Sequence, residues 1–155
     1  MIKIRKIRLS DYFRVCQLIR RTISYSFKSI YPPKLIKEFC KKYRLSNFKV
    51  KARETSYFVA VDSVSSRIIG VIGIKNNQLR TFFVEPRSQG KGIGRLLFSR
   101  FEKQARKIGY SQVVVEGGKL GVLIYKKFGF RKVKNIPKQR VGIHYTDVLM
   151  VKNLR

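Results

Sequence analysis

The sequence predicts a single α/β domain, residues 1–155, with a mixed central sheet. Three observations carry this. The length of 155 residues suits one hydrophobic core. Short β-branched and aromatic runs are interleaved with stretches of helical spacing. Their order is β, α, α, three strands, α, β, α, β, β, which argues for strands of both directions in one sheet.

Each element has its own signal. Residues 2–9 alternate Ile with Lys or Arg, as a strand does. Ser10 and Asp11 offer a helix cap, and Val15, Leu18, Ile19 and Ile23 follow with helical spacing. Pro32 and Pro33 open a second helix carrying Leu35, Ile36, Phe39 and Tyr43. Residues 44–56 are polar and basic and read as a loop. Residues 57–61, 67–74 and 78–84 form a meander, with turns at 62–66 and 76–77. Pro86 stops its third strand. Ile93, Leu97, Phe101, Ala105 and Ile108 then mark one face of a helix closed by Gly109. Residues 112–116 read as a strand, 119–128 as a short helix, and 130–134 and 143–151 as the last strands.

Composition narrows the class. The chain is 44% hydrophobic, with eleven Phe and eight Tyr, enough to fold. No apolar run reaches the roughly eighteen residues of a membrane span, and the N-terminus lacks an apolar signal segment. A cytoplasmic protein without a membrane partner is expected. Cys16 and Cys40 fall in separate helical patterns, with no paired Cys/His spacing, so neither a metal site nor a disulfide framework is indicated. The net charge is +28, from 36 basic and 8 acidic residues. Such a field attracts phosphates, whether of nucleic acid, a membrane surface or a phosphorylated cofactor. The cations are spread along the chain rather than gathered in a tail, and no nucleic-acid-binding motif accompanies them.

The stretch VEPRSQGKGIGRLLF, residues 84–98, joins a strand to a helix through Gly90, Gly92 and Gly94. Free amides and the dipole at a helix start make an anion site, and glycine lets a phosphate approach the backbone. Lys91 and Arg95 add charge. Neither familiar phosphate motif fits: no Ser or Thr follows a Gly-Lys, and the glycine spacing is GxGxG rather than GxGxxG.

The segment Gln89-Gly90-Lys91-Gly92-Ile93-Gly94 does resemble the Q/R-x-x-G-x-G/A signature of the GNAT acyltransferases. Residues 82–86 (FFVEP) resemble the strand before that signature, residues 125–130 (YKKFGF) its Y-x-K-x-G-F element, and residues 147–152 its last strand. The resemblance covers essentially the whole chain. It implies a GNAT fold, with a mostly antiparallel mixed sheet of about seven strands and about four helices. It also implies an N-acetyltransferase that moves acetyl directly from acetyl-CoA to a primary amine. Carried onto this chain, the backbone amides of Gln89 through Gly94 would hold the cofactor pyrophosphate. The strand before the turn would splay from residues 112–116, and the pantetheine arm would bond the backbone around Phe83 and Val84. An amide near Phe82 would polarise the thioester carbonyl.

Tyr125 matches the tyrosine that such enzymes often use as general acid on the leaving thiolate. Leu120, Ile124 and Phe128 define the core stripe of its helix, which puts Tyr125 on the flank beside Gly121. Of the carboxylates, Glu85, Glu116 and Asp147 remain once caps, turns and polar helix faces are set aside. Glu116, ending a strand beside the expected gap, is the first choice of general base; Glu85 is the second. Many relatives place Asn or Ser where this chain has Gly118, and Gly121 stands for a common alanine. The acceptor would meet the two N-terminal helices and the last strands, where Phe27, Tyr31, Tyr57 and Tyr145 are aromatic candidates. The positive field disfavours polycationic acceptors unless the cleft carries local negative charge; a protein N-terminus or a small anionic amine suits it better. A monomer or homodimer is expected. The alternative is a GNAT-fold binding module with weak or no catalysis, holding RNA, ribosome or another anionic partner on its basic surface.

Overall fold

The computed structural model describes residues 1–155. Seven strands, β1 (Ile2–Lys6), β2 (Ser56–Asp62), β3 (Ile68–Lys75), β4 (Gln78–Val84), β5 (Gln112–Gly117), β6 (Arg131–Arg140) and β7 (Ile143–Asn153), form one sheet in the order β1-β2-β3-β4-β5-β7-β6. Every neighbouring pair is antiparallel except β4 and β5. The α-helices are α1 (Tyr12–Ser26), α2 (Pro33–Lys41), α3 (Leu45–Lys51), α4 (Ile93–Ile108) and α5 (Lys119–Lys127).

β3 is buried along nearly its whole length, which is why it reads as a continuous apolar run. Its glycines are packing residues. A Cβ on Gly70 would lie 2.8 Å from Leu97 of α4, and one on Gly73 would lie 2.7 Å from the Tyr57 ring. The two faces of the sheet hold separate cores. On one, Ile93, Leu97, Phe98, Phe101 and Ala105 of α4 pack on Phe58, Ile72, Val113, Val115 and Met150. On the other, Val15, Leu18, Ile19 and Ile23 of α1 pack on Tyr57, Val59 and Val71.

Two local expectations are corrected. Residues 44–56 are not a plain loop, because α3 occupies Leu45–Lys51 and raises the helix count to five. Its one wholly buried side chain, Phe48, sits between Tyr12 and Tyr57. A seven-residue helix with a single anchor has no periodicity to read. β6 also runs on to Arg140, through Pro137. It is the edge strand, where a missing N–H is tolerated. The β6–β7 hairpin turns through Val141 (φ 46°) and Gly142 (φ 77°), the two positive angles of a type I′ turn.

Candidate active site

The site is built where the sheet comes apart. β4 and β5 share only the register pairs Gln78–Val114 and Leu79–Val115, and then diverge. The register of β3 against β4 slips between Gly73 and Ile74, so Arg80 is an extra residue bulged out of β4. Parallel strands that part in this way leave a wedge open to both faces of the sheet, bounded by Phe82, Phe83 and Val84 on one side and by Val115 to Gly117 on the other.

At the mouth of the wedge the chain turns through residues 85–92 into α4. Gly90 (φ 78°) and Gly92 (φ 83°) adopt the left-handed conformation that glycine favours, with no neighbouring atom within 4 Å of where a Cβ would sit. The first helical bond runs from the Leu96 amide to the Gly92 carbonyl. None of the amides from Gly90 to Arg95 therefore bonds a backbone carbonyl, and the Lys91 and Arg95 side chains are exposed beside them. This is an open cradle for an anion. Gln89 departs from its expected role. Its amide turns back to the Pro86 carbonyl at 3.4 Å, and its side-chain amide donates to the Val84 carbonyl at 2.9 Å, so it ties the turn to β4.

Glu85, the second candidate base, is spent on the same scaffold. Its buried carboxylate is ion-paired with Arg67 and accepts a 2.9 Å bond from the Ser88 hydroxyl. Its amide donates to the Ile69 carbonyl at 2.8 Å. The carboxylate thus fixes the end of β4.

Tyr125 faces inward, which corrects the expected orientation of α5. Its residue is 9% exposed, whereas Leu120 and Ile124 are 36% and 45% exposed. The ring lies over two glycines: a Cβ on Gly117 would come within 3.1 Å of it, and one on Gly121 within 2.9 Å. Phe130 at 5.6 Å and Phe82 at 6.4 Å complete its surroundings. The space beside Gly121 is filled by Tyr125 itself. Burial pushes the hydroxyl's pKa well up, Tyr43 adds to the shift, and no protein hydrogen bond opposes it.

The opposite face of the wedge carries a different chemistry. Tyr31, Phe39 and Tyr145 pack edge to face at 5.4 to 6.1 Å, with Phe27 against Tyr31 and Phe39. Tyr57 does not join them: it is 1% exposed in the core beside Phe48, and Phe39 takes its place. Burial pushes the Tyr31 hydroxyl's pKa up, and the nearby Lys119 amide opposes the shift. A Cβ on Gly118 would lie 2.8 Å from that hydroxyl and 3.6 Å from the Asp147 carboxylate. Tyr31 therefore takes the space that an Asn or Ser side chain would need.

Eight carboxylates serve this chain, and their partners separate them. Asp11, Glu38, Glu54, Glu85, Glu102 and Glu116 are all in ion pairs. Asp62 accepts from the Val64 amide in its own turn. Asp147 alone has neither an ion pair nor a hydrogen bond. Burial pushes its pKa above the ordinary carboxylate value; Lys138 and Lys42 oppose the shift, and Glu116 adds to it. Glu116 itself is held by Lys138 at 3.1 Å.

The comparisons with known proteins agree with this geometry. Residues 25–153 match the family model described as an acetyltransferase (GNAT) domain. The chain belongs to the GNAT acetyltransferase family. No curated protein sequence matches it. Solved structures share the fold at low identity. A GCN5-related N-acetyltransferase structure from Rhodopseudomonas palustris superposes with a TM-score of 0.89 at 16% identity, covering 98% of this chain and 95% of that one. The PaiA N-acetyltransferase of Thermoplasma acidophilum, solved in complex with coenzyme A, gives 0.80 at 22% identity over 99% of both chains. The ribosomal-protein-S18-alanine N-acetyltransferase of Escherichia coli gives 0.74 at 13% identity, over 99% of this chain and 94% of that one. The seven-stranded mixed sheet is the GNAT fold. No helix is long and apolar enough to cross a membrane.

Sequence reasoning missed Phe39 as a ring of this face and ranked Glu116, which the structure pairs with Lys138, before Asp147, which it leaves without an ion pair. Within the GNAT frame, one signal could have found Asp147. It lies two residues from Tyr145 on β7, so both side chains project from the same face.

Proposed function

We propose that this GNAT protein is an acetyl-CoA-dependent N-acetyltransferase acting on a primary amine. The wedge between β4 and β5 carries the reading. It has an amide cradle at its mouth, an inward tyrosine on the α4–α5 face, and a free carboxylate among aromatic rings on the other. The amides of Gly90 to Arg95 would hold the cosubstrate's pyrophosphate, with Lys91 and Arg95 adding charge. The backbone around Phe83 and Val84 would bind its pantetheine arm. The thioester is supplied by the cosubstrate; the protein orients it and moves two protons.

The amine enters from the Tyr31, Phe39 and Tyr145 side. Asp147 takes its proton, in preference to Glu116 or Glu85, because only Asp147 is free of a cation and buried enough to be a stronger base. The amine nitrogen bonds the carbonyl carbon, the carbon–sulfur bond breaks, the Tyr125 hydroxyl gives its proton to the departing sulfur, and the second proton that the new amide nitrogen sheds passes to solvent, which reprotonates Tyr125. Burial keeps that hydroxyl protonated at neutral pH, as an acid must be. Acid and base lie on opposite faces of the sheet, so the reacting atoms have to meet inside the wedge.

Thiol release from acetyl-CoA, screened across amino acids, aminoglycosides, polyamines and peptides, tests the reading. Release with at least one amine is expected. Measurable CoA binding without release from any amine would overturn it in favour of a binding module, as would a salt-sensitive nucleic-acid affinity that persists in saturating CoA.

A further inference from the structure

We infer that the acceptor carries an anionic group, a phosphate or a carboxylate, on the same small molecule as its amine, and that Lys42, Lys51 and Arg140 bind that group. The inference rests on the acetyltransferase reading and deepens it.

The sheet register places the cations. Along β6, Ile136, Lys138 and Arg140 are half-buried, while Asn135, Pro137 and Gln139 are exposed. Across the hairpin, Ile136 pairs with Asp147, Lys138 with Tyr145 and Arg140 with Ile143. Paired residues share a face, so Lys138 and Arg140 project on the same side as Asp147 and Tyr145. An edge strand normally sends its charges outward; this one turns two of them toward α2 and α3. From those helices, Lys42 sits 5.7 Å from the Phe39 ring, which itself packs on Tyr145 at 5.6 Å. Lys51 lies 5.7 Å from the Tyr43 ring, which packs on Phe83 of β4 at 6.1 Å. Cations from three elements therefore converge on the ring-lined face of the wedge.

Their partners are missing in a telling way. Lys138 is neutralised by Glu116. Lys42, Lys51 and Arg140 form no ion pair with any carboxylate. Burial first, with Arg140, Lys51 and Lys138 adding to it, lowers the Lys42 pKa to about 8 against the opposing pull of Asp147. Holding half-buried like charges together costs stability unless an anion joins them. The α4 cradle is a separate anion site, since the helix that carries it packs on the other face of the sheet. What remains is a ligand with two ends. Its ammonium would face Asp147, Tyr31 and Tyr145, where a carboxylate and aromatic rings favour a cation. Its anion would face Lys42, Lys51 and Arg140, where charge-assisted hydrogen bonds hold phosphate or carboxylate.

Matched acceptor pairs test this by thiol release: O-phosphoethanolamine against ethanolamine, β-alanine against β-alaninamide, and putrescine as a dication. An anionic member should exceed its neutral partner about tenfold or more in kcat/KM, the worth of one charge-assisted contact; which pair shows it tells phosphate from carboxylate. Lys42→Ala and Arg140→Gln should each narrow that ratio, and Lys42→Arg should keep it. Equal turnover within every pair, or putrescine as the best acceptor, overturns the inference while leaving the acetyltransferase standing. If no amine releases thiol, the acetyltransferase reading fails, and calorimetric titration of inorganic phosphate into the CoA-saturated protein decides the anion site by itself. Saturable binding that weakens about tenfold in the Lys42→Ala, Arg140→Gln double variant supports it. Absent binding, or binding equal in both proteins, overturns it.

Discussion

Replacing Tyr125 with Phe separates chemistry from structure unusually cleanly here. The hydroxyl has no protein hydrogen-bond partner, and the ring's close approaches, to Gly117 and Gly121, involve carbons that phenylalanine keeps. Removing the oxygen should therefore leave stability within about 0.5 kcal/mol of the parent, and CoA affinity unchanged. The chemical step is another matter. Positioned general acids contribute about 10²–10⁴ in rate, or roughly 3–5 kcal/mol. Turnover of the best acceptor should fall by at least about a hundredfold. The assay is thiol release under saturating acetyl-CoA, with thermal melting and CoA calorimetry on the same samples. Burial also predicts the pH behaviour: the pKa is raised, so the parent's rate should show no alkaline loss from this residue up to about pH 10, the ordinary tyrosine value. A Tyr125→Phe variant that binds CoA normally and turns over within about twofold of the parent would refute the acid assignment.

Other consequences are as direct. Gly92→Ala should weaken CoA binding about tenfold by calorimetry, since the position has φ 83° but no neighbour for a Cβ to strike, so any loss reports the backbone and the ligand. Val141→Asn should raise stability by about 1 kcal/mol in chemical denaturation, because a β-branched residue is strained at φ 46° in a turn that prefers Asn-Gly. Alkali should unfold the chain: burial raises Tyr57 to about 12 and also raises Tyr43 and Tyr125. The unfolded chain then loses its phenolic protons first, so melting temperature should drop as pH rises beyond about 10, and Tyr57→Phe should flatten that slope. Lys42→Met should do the opposite at neutral pH. A lysine whose folded pKa is lowered to about 8 opposes folding while charged, and the penalty fades between about pH 8 and the ordinary lysine value. The variant should therefore be more stable than the parent at pH 7, with the gap closing toward about pH 10.5.

Much of the fold was legible because periodicity reports burial. The meander, α1, α4 and the glycine turn all follow from spacing. What was not legible depends on neighbours distant in the chain. The seven residues of α3 are fixed by Phe48 meeting Tyr12 and Tyr57, a contact no local pattern announces. The orientation of α5 was misread because glycine counts for nothing in an apolar stripe, yet Gly117 and Gly121 are what admit the Tyr125 ring. The site divided along the same line. Backbone features, such as the positive-φ glycines and the free amides, are written in residue type. Side-chain surroundings among the carboxylates are written in tertiary pairing: nothing in the sequence near Glu85 and Glu116 announces that Arg67 and Lys138 sit beside them.

The large positive charge also reads differently once placed. Thirty-six cations over eight acids suggest a uniform field that repels every ammonium. Yet six of the eight carboxylates are neutralised locally in ion pairs and a seventh closes a turn, which leaves Asp147 as the one negative group free to meet a substrate. A single unpaired carboxylate in a basic protein draws an amine more selectively than it would in an acidic one, because no competing surface site offers the same attraction. The same scarcity leaves Lys42, Lys51 and Arg140 without internal partners. On the proposed reading, a low carboxylate count shapes both ends of the acceptor site, the end that takes the proton and the end that asks for an anion.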